Sequence, residues 1–157
     1  MPRPVFEQFK VAFDERAWVV VFNDTQGKDR ITQYVPQGST AENWTEMITE
    51  RSFPGLQTTA TPEQEMAAAR KLAEEQCSKV DWTVVGQEPG SIRYVAELSG
   101  CAETRPPNEA GRFIMSDLAI YQVTYRSKKP KLSDAEKKSW ADVLARAHYE
   151  DVVGEEE

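Results

Sequence analysis

Residues 34–50, YVPQGSTAENWTEMITE, decide how the first third of the chain is read. Tyr34-Val35 ends a strand-like run, and Pro36-Gln37-Gly38 supplies turn formers. Ser39 then stands three positions before Glu42. That is the spacing of a capping box, in which hydroxyl and carboxylate satisfy otherwise orphan amides at a helix start. Ala41, Trp44, Met47 and Ile48 follow at helical spacing on one face. The pattern predicts a helix with Trp44 as a core anchor. Asn43-Trp44-Thr45, like Asn23-Asp24-Thr25, matches the N-glycosylation acceptor; both are read here as helix and turn chemistry.

Upstream, Ala17-Trp18-Val19-Val20-Val21-Phe22 is a continuous β-branched and aromatic run that ends in turn formers at 23–27, and residues 29–35 return as a second strand. Downstream, Phe53-Pro54-Gly55 reads as a turn. Thr61-Pro62-Glu63-Gln64 then opens a second helix, with Met66, Ala69, Leu72, Ala73 and Cys77 on its apolar side. Residues 80–86 and 92–98 read as strands, the latter alternating with a period of two. Residues 102–111 read as a loop, and 112–126 as a long strand region bent or divided near Ser116-Asp117. Ser133 and Glu136 form a third capping box before a closing helix over 134–149, whose Trp140, Val143, Leu144 and Ala147 share a face.

Short turns between strands leave no room for parallel crossovers. The expected fold is therefore α+β: a mainly antiparallel sheet of about five to six strands covered by about three helices, or an α/β/α sandwich. With 157 residues the chain fits a single domain, 1–157. A flexible start at about 1–8 and a frayed acidic tail at about 152–157 are expected at its ends.

The formal charge of −7 opposes binding to nucleic acid or anionic membrane, because affinity for polyanions rests on basic side chains. The cations of residues 125–131, YRSKKPK, read as a solvated loop. No apolar run approaches the roughly 20 residues of a membrane span. The start, Met1-Pro2-Arg3-Pro4, shows no signal segment, which fits either a cytoplasmic protein or one whose export signal has been removed.

Cys77 and Cys101 are the two cysteines and His148 the one histidine, too few for a structural zinc site. The cysteines could close a disulfide or remain two buried thiols. His148 reads as a surface residue near a helix end, and no Ser-His-Asp or Cys-His signature accompanies it. Glycine-rich phosphate loops are absent, so no cofactor is expected. Carboxylate pairs such as Glu74-Glu75 or Asp142 with Glu150 are what chance gives in an acidic chain. No catalytic or metal-binding residue is nominated.

The words Tyr34-Val35-Pro36-Gln37-Gly38 and Glu42-Asn43-Trp44-Thr45-Glu46-Met47, with Gly111-Arg112-Phe113, residues 121–126 and the closing Trp140 helix, carry a resemblance. In them the chain resembles small uncharacterised bacterial exported proteins of periplasmic or lipoprotein type, and its element order is similar to the PsbP-like fold. The resemblance implies an upstream export signal and a place in the periplasm or cell envelope, with peripheral anchoring if a lipoprotein signal is removed. It brings no catalytic residues. The expected role is a non-catalytic envelope domain that binds a protein partner or small ligand, with Cys77 and Cys101 as disulfide candidates. One alternative is a cytoplasmic acidic inhibitor or immunity-type protein whose carboxylates meet a basic target. Another is an enzyme with convergent polar groups in a pocket. Trp44, Tyr94 and Tyr121 are the candidate ligand or partner surface.

Overall fold

A computed structural model describes residues 5–10, 16–102 and 105–153, with side chains over 16–102 and 105–148. In chain order these form β1 (Val5–Lys10), β2 (Trp18–Gln26), β3 (Asp29–Pro36), β4 (Glu46–Pro54), a 3-10 turn (Leu56–Thr58) and α1 (Pro62–Gln76). There follow β5 (Cys77–Glu88), β6 (Ser91–Cys101), β7 (Asn108–Met115), β8 (Ala119–Ser127), α2 (Asp134–Ala145) and β9 (His148–Val153). Strands β2 to β8 build one sheet in the order β2-β3-β4-β8-β7-β6-β5, with every neighbouring pair antiparallel. The backbones of β1 and β9 pair antiparallel as a two-stranded ribbon. Of the ends expected to be loose, 1–4 and 154–157 lie outside the described residues.

The expectation of five to six strands under three helices is corrected: the main sheet alone has seven strands, and the described residues contain two α-helices. The error lies in the opening stretch. Residues 46–54 are β4, not a helix, and Ser39 caps nothing there. Instead Thr40 Oγ1 accepts from the Asn43 amide at 2.9 Å and closes a turn. β4 then enters the sheet between β3 and β8, with Ile48 opposite both Tyr34 and Tyr125. Two flanking strands satisfy its backbone on both sides, which outweighs a local helix-start signal worth about 1 kcal/mol. Smaller corrections follow the same logic. Cys77 opens β5 instead of closing a helix face, β7 begins within the expected loop, and α2 stops at Ala145 so that His148 starts β9.

The other two capping boxes are formed as read. Thr61 Oγ1 accepts from Gln64 N at 3.2 Å and Gln64 Oε1 from Thr61 N at 3.0 Å. Ser133 and Glu136 do the same at 3.1 and 3.2 Å. The helices lie on opposite faces of the sheet. α1 places Met66, Ala69 and Ala73 against Trp82, Tyr94, Leu98 and Phe113. α2 places Trp140, Val143 and Leu144 against Ala110, Tyr121, Val123 and Tyr125. Arg112 of β7 reaches the open carbonyls at the α2 C-terminus, donating to Leu144 O at 3.3 Å, Ala145 O at 3.1 Å and Ala147 O. A buried cation there satisfies orphan acceptors and complements the negative end of the helix.

Candidate functional site

α1 packs on β5, β6 and β7 and leaves the same sheet face open over β3, β4 and β8. Antiparallel register sets out the floor of the resulting cleft in rows. Gln33, Thr49, Thr124, Gly111 and Tyr94 stand opposite one another across five strands. Arg51 faces Gln122, which in turn faces Phe113. Arg126 faces Glu109. The cleft measures about 260 Å³ and is walled on the helix side by Glu65, Ala68, Ala69 and Leu72.

Glu109, 2% exposed, is the hub. Its Oε1 accepts from Arg126 Nε at 2.6 Å and from Arg105 Nη2 at 3.2 Å, and its Oε2 accepts from the Tyr94 hydroxyl. Gly111 makes the last contact feasible. A methyl at this position would overlap the Tyr94 ring, which crosses β7 here to reach Glu109. On its other side the ring stacks on Trp82, with centroids 4.1 Å apart and planes 15° from parallel. Burial, then the charge and hydrogen bond of Glu109, push the Tyr94 hydroxyl well above its ordinary value, so it stays a neutral donor.

The cleft holds three arginines, Arg51, Arg105 and Arg126, against two carboxylates, Glu65 and Glu109. Burial first, and the neighbouring Arg126 next, lower Arg51 from its ordinary value, while Glu109 raises it. Burial also lowers Arg105, with Glu109 again opposing. Arginine nevertheless remains a cation throughout the physiological range. Among the described residues, Arg51 has no hydrogen bond or ion pair to its guanidinium, and Arg105 Nε is buried without an acceptor. A second hollow of about 450 Å³, between α2 and the middle of β5 and β6, differs in that its cations are matched: Lys137 pairs with Glu97, Lys138 with Asp142 at 2.9 Å and Arg93 with Glu88 at 3.5 Å.

The three aromatic candidates are not brought together. Trp44 is half-buried in the loop before β4, with Lys128 Nζ 4.0 Å from its ring centre. Tyr121 is buried in the α2 face. Tyr94 is buried on the α1 face, where its hydroxyl braces the cleft. Cys77 and Cys101 stand opposite each other in the β5–β6 register and are bonded, Sγ–Sγ 2.10 Å. His148 is exposed, with Nδ1 3.1 Å from Arg146 O. Glu74 and Asp142 lie in helix-surface pairs with Arg70 and Lys138. Among the described residues, no group of three or more His, Cys, Asp or Glu side chains is placed to hold a metal ion, and no helix is long and apolar enough to cross a membrane.

Sequence reasoning missed every charged member of the cleft. Arg51 was hidden by the helix reading carried on Ala41, Trp44, Met47 and Ile48, Glu65 by its place in the second helix, Arg105 and Glu109 by a loop assignment, and Arg126 by its membership of a basic run. One signal was available in β8, where Gln122, Thr124 and Arg126 alternate with Tyr121, Val123 and Tyr125 and so mark a polar face. Comparison with family models, curated proteins and solved structures finds no match to this chain.

Proposed function

We propose that the chain is a non-catalytic bacterial envelope or periplasmic domain that binds a small ligand in the cleft beside α1. The observation that carries this reading is the braced arrangement around Glu109. With both oxygens held by Tyr94, Arg105 and Arg126, this carboxylate serves as a fixed acceptor that aims cations, not as a base turned toward a substrate. Concave shape with a few convergent polar groups is the usual form of a ligand site. The envelope assignment is supported by the Cys77–Cys101 pair, since disulfides persist in oxidising compartments, and by the resemblance to exported proteins.

The test is a thermal-shift screen of small cationic, neutral and anionic metabolites on wild type and on Ala68→Trp. Ala68 is exposed on α1 at the cleft wall, so the indole closes the mouth without entering the core. A ligand at 100 times its Kd adds about 2.7 kcal/mol of stability. At least one compound should raise the wild-type Tm, and Ala68→Trp should lose the rise. No shift from any compound, or equal shifts in the variant, overturns the binding reading. Two titratable thiols in chain recovered from the periplasm without reductant would remove the envelope assignment.

A further inference from the structure

We infer that the ligand of this cleft is a small molecule carrying one carboxylate or phosphate group, held by Arg51, Arg105 and Arg126. The inference rests on the binding reading above and names the chemistry it would recognise. Three cations against Glu65 and Glu109 leave the cleft one positive charge in excess, on a chain whose overall formal charge is −7. Carboxylates dominate elsewhere on the molecule, so a local cationic excess in a concavity is a selective feature and not a general affinity for anions.

The donors are only partly spent: Arg105 gives Nη1 to Gln76 Oε1 at 3.3 Å and Nη2 to Glu109 at 3.2 Å. Arg105 lines the cleft with its side chain 7% exposed, and its Nε is buried without an acceptor among the described residues. A buried polar group left unpaired in this way calls for an unfilled partner. Arg126 uses Nε on Glu109, and among the described residues its two terminal nitrogens make no hydrogen bond. Arg51 offers the whole of its planar fork, the shape that matches an oxyanion bidentately. The floor adds the Thr49 and Thr124 hydroxyls and the Gln122 amide. Glu109 keeps Arg105 and Arg126 from spreading apart when the site is empty, and Glu65 limits the excess to a single charge. The volume of about 260 Å³ falls below the roughly 300–1,000 Å³ usual for drug-sized ligands, which favours a compact molecule.

The experiment compares sodium butyrate, its neutral isostere butyramide, inorganic phosphate and sodium chloride at matched ionic strength, by calorimetric titration of wild type and Arg51→Gln. Among the described residues Arg51 makes no hydrogen bond or ion pair and interacts with Glu109 through charge alone, so its replacement spares the scaffold, and equal Tm values without ligand check this. Saturable binding of butyrate or phosphate but not butyramide or chloride is expected, weakened about tenfold or more in Arg51→Gln. Which of the two oxyanions binds assigns the ligand to carboxylates or phosphates. Equal affinity for butyramide, unchanged affinity in Arg51→Gln, or no binding of either oxyanion overturns the inference. The binding reading survives any of these if another compound in the thermal screen shifts wild type and spares Ala68→Trp.

Discussion

Strand β8 carries two different proteins on its two faces. Toward α2 it turns Tyr121, Val123 and Tyr125, all buried. Tyr125 stacks on Trp140 at 3.6 Å between centroids and 12° between planes, and Trp18 meets Trp140 edge-on at 5.9 Å. Toward α1 the same strand turns Gln122, Thr124 and Arg126 into the cleft. One residue of displacement along the chain separates a closed aromatic core from an open polar site, because side chains alternate strictly across a sheet. The difference is set by helix reach. α2 extends over β6, β7 and β8, whereas α1 covers β5, β6 and β7. Where a helix lies above, the strand must present apolar groups; where it stops, the strand is free to present chemistry.

The strongest way to break this comparison is to cut one large residue from each face. Trp140→Ala removes the ring that Tyr125 and Trp18 both contact, and should cost about 3–5 kcal/mol of unfolding free energy. Gln122→Ala, on the opposite face one position from Tyr121, should change stability by no more than about 0.5 kcal/mol. Urea denaturation of the two variants measures both. Similar costs would show that the polar face is structural and would remove the basis for treating it as a site.

A smaller effect is expected at Gly111, where the two demands meet in one residue. Its missing side chain is the space through which Tyr94 reaches Glu109. Gly111→Ala should cost about 1–3 kcal/mol by overpacking and should alter the emission of Trp82 as the stacked Tyr94 ring is displaced. An unchanged Trp82 spectrum with unchanged stability would mean that the Tyr94 brace is dispensable.

Much of the scaffold was legible in the sequence, for local reasons. The hairpin of β2 and β3 and the alternation in β6 need only their own residues to be recognised. So do the boxes Thr61/Gln64 and Ser133/Glu136. The same type of signal at Ser39/Glu42 misled because residues 46–54 offer no clean period of two against it: Glu46, Ile48, Glu50 and Ser52 on one face and Met47, Thr49, Arg51 and Phe53 on the other each mix apolar and polar side chains. What decides between the two periods is the presence of β3 on one side and β8, more than 60 residues later, on the other. The candidate site was less legible still. Its charges come from β4, α1, the segment before β7, β7 itself and β8, and the register that puts Arg126 opposite Glu109 joins the sheet's share of them into one group.

The smallest expected effect sharpens the comparison within β4, where two glutamates on the α2 face respond to acid in opposite directions. Burial alone would raise Glu46, but hydrogen bonds from Arg16 at 2.6 and 3.2 Å and from Tyr125 at 2.7 Å outweigh it and hold the carboxyl below its ordinary 4.5. At Glu50 burial prevails over the Tyr34 hydrogen bond and the charge of Arg30, and the carboxyl sits above 4.5. Tyr34 itself is pushed up to about 12 by burial and then by Glu50, so it remains a donor at every pH considered. A depressed folded value means that the stability contributed by Glu46 is complete above pH 4.5 and is lost as the pH falls through the folded value. A raised one means that the contribution of Glu50 is complete below pH 4.5 and is lost as the pH rises through the folded value. Glu46→Gln should therefore lose stability relative to wild type at pH 7 and converge with it in acid. Glu50→Gln should gain on wild type between pH 4.5 and 7. Urea midpoints at pH 3.5, 4.5 and 7 decide the matter, and curves that run parallel for the two variants would show that the Arg16–Glu46–Tyr125 cluster does not set the acid response of this face.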